Sequence, residues 1–171
     1  RIHTAGQHLL SLINNVLDLA KIETGKMTLY REPFDALEVL AELATTMRSL
    51  ARRNNNTIEI TAAPPTAAIV SDQTRFRQIF SNLLSNAIKY RDKKKRGAHS
   101  VELVLSSNDG QASVKVVDNG IGIDASHIPR LTERFYRVDR GRSRETGGTG
   151  LGLAIVKHVL ERHQATLTIE S

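Results

Sequence analysis

Apolar residues in the first two dozen positions recur at alternating spacings of four and three, as Leu9, Ile13, Val16 and Ala20, with Leu10/Leu17 and Leu12/Leu19 seven apart. That period predicts a helix over residues 2–24. Its stripe is too wide for a two-stranded seam and fits a helix buried on two sides of a bundle, whose covering helix this sequence does not supply. Gly25 ends the helix, the pattern alternates as a strand over Met27–Glu32, and Pro33-Phe34-Asp35 leads into a second helix to about Arg53. A boundary near Gly25 therefore separates a helical module, residues 1–25, from a globular domain, residues 26–171.

Strands are expected at Thr57–Ala62 and Ala67–Val70, separated by Pro64-Pro65. Ser71 or Asp72 then caps a helix to about Tyr90, with Phe76, Ile79, Phe80, Leu83, Leu84, Ala87 and Ile88 as its buried face. Val101–Ser106 and Ala112–Asp118 form a hairpin across Asn108-Asp109-Gly110. The connection that follows, about thirty residues long, has the length of a lid or binding segment. A last helix and a terminal strand at Thr166–Glu170 complete an α/β pattern, with helices on one face of a mixed, largely antiparallel sheet.

At 171 residues the chain has room for one compact domain plus a helical appendage. It contains no cysteine, which excludes disulfides, thiolate metal sites and cysteine nucleophiles. No apolar run reaches membrane-span length, no signal-peptide pattern is present, and the start at Arg1 within a helical pattern reads as a piece of a longer protein. The net charge of +6 gathers in two clusters. Lys89, Arg91, Lys93, Lys94, Lys95 and Arg96 read mostly as a solvated loop, whereas Arg130, Arg134, Arg137, Arg140, Arg142 and Arg144 lead into a glycine-rich turn and suit the phosphates of a nucleotide. No helix-turn-helix, zinc-finger or aromatic-basic signature supports a nucleic-acid partner.

The turn itself, Gly147-Gly148-Thr149-Gly150-Leu151-Gly152-Leu153-Ala154, carries four glycines within six residues and opens into an apolar-periodic helix. Free N–H groups of the first helical turn and the positive end of the dipole attract an anion, and glycines let a polyphosphate approach the backbone. Thr149 is the expected N-cap. Neither Walker A nor the Rossmann fingerprint fits: the first lacks its Gly-Lys-Ser/Thr, and the third glycine of the second falls one residue early, at Gly152.

Asn82 and Asn86 share a helix face with Lys89, with Tyr90 alongside. Magnesium carrying a triphosphate keeps most of its waters and needs only one or two protein oxygens, which the Asn86 amide can supply. The strand ending at Asp118 delivers an acceptor-only carboxylate suited to the exocyclic amine of adenine, while Gly120 and Gly122 let a flat base pass close to the backbone.

Together these segments resemble the sensor histidine kinases. Asn82–Tyr90 is similar to their N box, Asp118–Ile123 to the G1 box, Arg134–Asp139 to the F box, and Gly148–Val156 to the G2 box, in the family's order. The likeness runs from about Arg31 to Ser171, and Leu12–Glu23 resembles the second helix of the family's dimerization and histidine phosphotransfer domain. The lid and G2 region is most similar to phosphate-regulon sensor kinases, and the first helix to hybrid sensor kinases. The resemblance implies the Bergerat (GHKL) ATP-binding fold. It also implies magnesium held by Asn86, phosphates contacted by Lys89 and Arg137, Tyr90 near the base, Asp118 reading adenine, and ATP further enclosed by Gly120, Gly122, Phe135, Tyr136, Gly148, Thr149, Gly150, Leu151 and Gly152. Hydrolytic relatives carry a glutamate at the position of Asn82. An amide there cannot accept a proton from water, which reserves the γ-phosphoryl group for a histidine nucleophile.

No histidine here has the context of the family's phosphoacceptor: His3 and His8 lie on the first helix, His99 and His127 in loops, His158 and His163 around the last helix. The acceptor helix and the family's final strand are expected outside this sequence. Implied partners are an acceptor histidine domain, a response regulator and a second copy through the first helix, with a cytoplasmic location open to membrane anchoring of the intact protein. Alternatives on the same residues are a nucleotide-binding or dimerization module without transfer activity, and an anti-sigma-type serine kinase.

Overall fold

Leu9, Leu10, Ile13, Val16 and Leu17 stand exposed along α1 (Ile2–Glu23), so the predicted apolar stripe faces outward, while Leu19 is buried. The helix stops where expected. Gly25 is left-handed (φ +67°), its N–H donates to Ile22 O, and Lys26 N–H donates to Lys21 O, a pair of bonds that satisfies the last carbonyls. The computed structural model describes residues 2–63, 68–92, 97, 99–108, 111–138 and 148–171. They divide into a central unit, Tyr30–Ile123, and a terminal unit, Arg1–Leu29 with Asp124–Ser171.

In the central unit, β1 (Glu32–Phe34) pairs antiparallel with β3 (Ile69–Ser71). The alternation over Met27–Glu32 therefore becomes a strand only at its end, where Ser71 and Ile69 supply backbone partners. Between them lie α2 (Ala36–Arg53) and β2 (Asn56–Ala62). The Asp35 carboxylate caps α2 by accepting the N–H groups of Leu37 and Glu38 at 2.8 and 3.3 Å. Asp72 does the same for α3 (Gln73–Lys89), accepting from Arg75 N–H at 2.9 Å, and its other oxygen takes Tyr30 N–H at 3.0 Å. This buried carboxylate is thus bonded at both oxygens.

The sheet that positions the site has the order β2, β4 (His99–Asn108), β5 (Gln111–Asp118), parallel across the first pair and antiparallel across the second. Residues paired across a ladder share a face. Ile58, Ile60 and Ala62 align with Val101, Leu103 and Leu105, which in turn align with Asp118, Val116 and Val114. That row is apolar except at its end, where Asp118 stands. Val101, Leu103 and Leu105 are buried, as are Val39, Leu40 and Ala44 of α2 and Phe76, Ile79, Phe80, Leu84 and Ile88 of α3. Phe34 meets Phe76 edge to face and Phe76 meets Phe80 at a tilt, with ring centroids 5.3 and 4.6 Å apart.

The terminal unit packs α1 against α4 (Gly152–Arg162) and includes the 3-10 turn Ile128–Arg130. Ala154, Ile155, Val156 and Val159 form the buried face of α4. The strand expected at Thr166–Glu170 is not formed among the described residues: Leu167 and Ile169 alternate with exposed neighbours as a strand would, but no ladder partner bonds them. A cavity of about 330 Å³ between Ile128, Leu160 and Leu167 contains none of the motif residues.

Candidate functional site

In the central unit the last carbonyls of α3 need donors, and the loop after β5 supplies one: Ile121 N–H donates to Tyr90 O at 3.2 Å. Asn119 fixes the same loop to the sheet, its side-chain oxygen accepting Ser100 N–H at 3.1 Å. Gly120 is clamped between these anchors. A Cβ there would lie 2.6 Å from Asp118 Oδ1 and 2.7 Å from Tyr90 O, so only glycine fits the turn. Gly120 N–H donates to Asp118 Oδ1 at 2.9 Å, while Oδ2 takes no bond among the described residues. Gly122 is left-handed, at φ +69°. The structure thus joins Asp118, Gly120 and Tyr90 at the end of the helix that carries Asn82, Asn86 and Lys89.

Those three side chains lie away from the fully buried Leu84 and Ile88, each half-buried. The amides of Asn82 and Asn86 have no hydrogen-bond partner among the described residues. Burial pushes the Lys89 ammonium below the usual lysine range, because desolvation disfavours its charged form. Buried Asn56 ties the edge strand to this end of α3, its side-chain N–H donating to Ile88 O at 3.1 Å.

In the terminal unit the other two motifs meet backbone to backbone. Phe135 N–H donates to Gly150 O at 2.8 Å, and both residues are left-handed, at φ +62° and +71°. A Cβ on Gly150 would lie 2.8 Å from both Cα and C of Phe135. Gly150→Ala should therefore unhook the two segments and cost about 1–2 kcal/mol in backbone strain before any steric term. For a domain of this size that is a fall of a few degrees in Tm, with faster amide exchange at Phe135 as the specific readout. Unchanged exchange there would show that the contact does not hold the segment.

Thr149 is not the N-cap. Leu151 occupies that position without any side-chain cap, and the Thr149 hydroxyl accepts Leu151 N–H at 3.2 Å, bracing the turn instead. The first helical bond is Ile155 N–H to Leu151 O, which leaves the preceding N–H groups without a capping side chain. Leu151 is buried, and Gly148, Gly150 and Gly152 are half-buried. Arg137 has two buried guanidinium nitrogens, Nε and Nη2, with no partner among the described residues. Buried donors of this kind are costly unless something binds them. Phe135 is exposed and Tyr136 half-buried. Gly147, Arg140, Arg142 and Arg144, the run Lys93–Arg96, and the turn Asp109-Gly110 lie outside the described residues.

Residues 71–171 match the family of histidine kinase-, DNA gyrase B-, and HSP90-like ATPases. The chain belongs to this family. Within the ATPase family it is 41% identical over 161 residues to the phosphate regulon sensor protein PhoR of Pseudomonas aeruginosa, covering 94% of this chain and 35% of that protein. It is 35% identical over 170 residues to the sensor histidine kinase YkoH of Bacillus subtilis, covering 99% of this chain and 35% of that one. The chain thus spans about a third of the length of these curated relatives. Among solved structures, full-length ShkA in complex with AMPPNP superposes with a TM-score of 0.78 at 32% identity, over 92% of this chain and 32% of that chain. The family accounts for the GHKL fold, helices on a mixed and largely antiparallel sheet, and for ATP binding. No described helix is long and apolar enough to cross a membrane.

Proposed function

We propose that this chain is the ATP-binding catalytic part of a two-component sensor histidine kinase, passing the γ-phosphoryl group of ATP to a histidine on another helix for relay to a response-regulator aspartate. The observation that carries this reading is the face of α3: Asn82 and Asn86, whose amides have no partner among the described residues, the desolvated ammonium of Lys89, and Asp118 docked at its end by the Gly120 turn. Asp118 Oδ2 is an acceptor for adenine's amine. Tyr90 lies by the base, and Lys89 and Arg137 neutralise phosphates. The glycine segment Gly148–Gly152 admits the polyphosphate to the start of α4, with Phe135 and Tyr136 alongside. Magnesium carrying a triphosphate needs only one or two protein oxygens, and it would be held by the Asn86 side-chain oxygen together with phosphate oxygens and water. When bound, that ion neutralises charge on the phosphates. Asn82 offers no base to a water, which favours transfer to a histidine over hydrolysis.

On this reading residues 1–25 are the C-terminal helix of a dimerization and phosphotransfer domain. The exposed row Leu9, Leu10, Ile13, Val16 and Leu17 supports assembly through that helix. Dependence on ATP and a response regulator argues for the cytoplasmic side of the cell. Calorimetric titration with ADP and a nonhydrolysable ATP analogue, with and without magnesium and with GTP as control, tests the nucleotide site. Saturable, adenine-selective binding strengthened by magnesium is expected, and no binding by a folded chain would overturn the reading. Asn86→Ala should erase the magnesium-dependent increment, about tenfold or more; a preserved increment would remove Asn86 from the metal site. Phosphorylation of an acceptor-histidine domain supplied in trans tests transfer.

A further inference from the structure

Among the described residues after β5, the turn Ile128–Arg130 is followed by Tyr136, which is held at three points. Its hydroxyl lies 2.6 Å from His127 Nδ1, and its N–H donates to Glu133 O at 3.3 Å. The Arg130 guanidinium lies 4.2 Å from the ring centroid. Arg130 is itself aimed by a fork to both carboxylate oxygens of Glu133, at 3.1–3.2 Å, and that pairing pushes its pKa further up. His127 in turn is seated by the turn that it begins, its N–H donating to Asp124 O and its carbonyl accepting Arg130 N–H.

Tyr136 lies between two residues of consequence. Phe135 is latched by its backbone to Gly150, and Arg137 carries the two buried guanidinium nitrogens that lack partners among the described residues. Fixing 135 through its backbone and 136 through its side chain leaves residue 137 little freedom in the direction of its Cα–Cβ bond. A long, flexible arginine is thereby pre-aimed, and ordering it ahead of ligand binding lowers the entropy lost when it grips a phosphate.

We propose that His127 is a positioning residue for phosphate recognition. Through Tyr136, and with Arg130 covering the ring, it holds Arg137 in the orientation that contacts the terminal phosphate of ATP. The inference rests on the proposed role of Arg137. Nδ1 can accept from the phenol or donate to its oxygen, so either tautomer makes the bond and the pair works as a brace.

The test is the affinity of the purified chain for a magnesium-bound nonhydrolysable ATP analogue relative to magnesium-ADP, measured for the parent, Arg137→Ala, His127→Ala, Tyr136→Phe and His127→Asn. Tyr136→Phe keeps the ring and its packing and loses only the hydroxyl. His127→Asn places an amide close to the position of Nδ1. His127→Ala and Tyr136→Phe are expected to reduce the preference for the ATP analogue about tenfold, approaching Arg137→Ala, with ADP affinity little changed and His127→Asn largely restored. Equal loss for both nucleotides would make the pair merely structural, and an unchanged preference would show that it does not act on Arg137; either overturns the proposal. A parent chain that binds both nucleotides equally would overturn the role of Arg137 and this inference with it. A folded parent that binds neither would overturn the proposed function itself.

Discussion

Replacing Asp118 with asparagine is expected to weaken binding of adenine nucleotides by about two orders of magnitude while leaving the loop around it intact. The two carboxylate oxygens do different work. Oδ1 accepts Gly120 N–H at 2.9 Å, a bond that an asparagine oxygen makes equally well, so the turn keeps its internal support. Oδ2 takes no bond among the described residues, and in asparagine an NH₂ donor takes its place. Adenine's amine then meets a donor, forfeiting a charge-assisted hydrogen bond of about 1.5–3 kcal/mol. Guanine presents an acceptor oxygen where adenine presents its amine, so the same change should narrow the ATP-to-GTP preference further than it weakens ATP binding alone. Parallel titrations of parent and variant with ADP and GDP check this. An unaltered ratio between the two would take Asp118 out of base recognition.

Where a motif is local, the sequence carried it. The period of α3, its cap at Ser71 or Asp72 and the stop at Gly25 follow from residues within a turn or two of each other, and the structure has all three, with Asp72 as the cap. Thr149 shows how narrow the margin is: the hydroxyl does support the glycine turn, but the helix starts two residues later than its composition indicated. Strands were less legible because pairing decides them. Met27–Glu32 and Thr166–Glu170 both alternate, yet only Glu32–Phe34 has a ladder partner among the described residues. The contacts that build the candidate site are longer in range still. Nothing near Asp118 in sequence announces that Ile121 will cap α3 at Tyr90, that Asn119 will bond Ser100, or that Asn56 will reach Ile88. His127 reads as an ordinary loop histidine until Tyr136 is placed against it.

Lys89 carries the second large effect, and its sign with pH distinguishes a phosphate contact from a structural amine. Burial lowers its pKa in the folded chain, so between that value and the ordinary lysine value of about 10.4 the unfolded chain binds more protons than the folded one. Stability of the nucleotide-free fold therefore increases as pH rises through this window, and it is lost again as pH falls through the folded pKa. Nucleotide binding should run the other way. A phosphate favours the ammonium, so affinity is full below the folded pKa and declines above it, at a lower pH than an ordinary lysine would set. Lys89→Met should cost about tenfold to a hundredfold in affinity at neutral pH, as a charged contact to phosphate is lost, while relieving the desolvation penalty on the apo fold. Lys89→Arg, charged throughout, should flatten the alkaline decline. Thermal midpoints and calorimetric affinities of the three proteins across an alkaline series decide the matter. If parent and Lys89→Arg lose affinity in parallel, the decline belongs to another group, and Lys89 does not hold a phosphate.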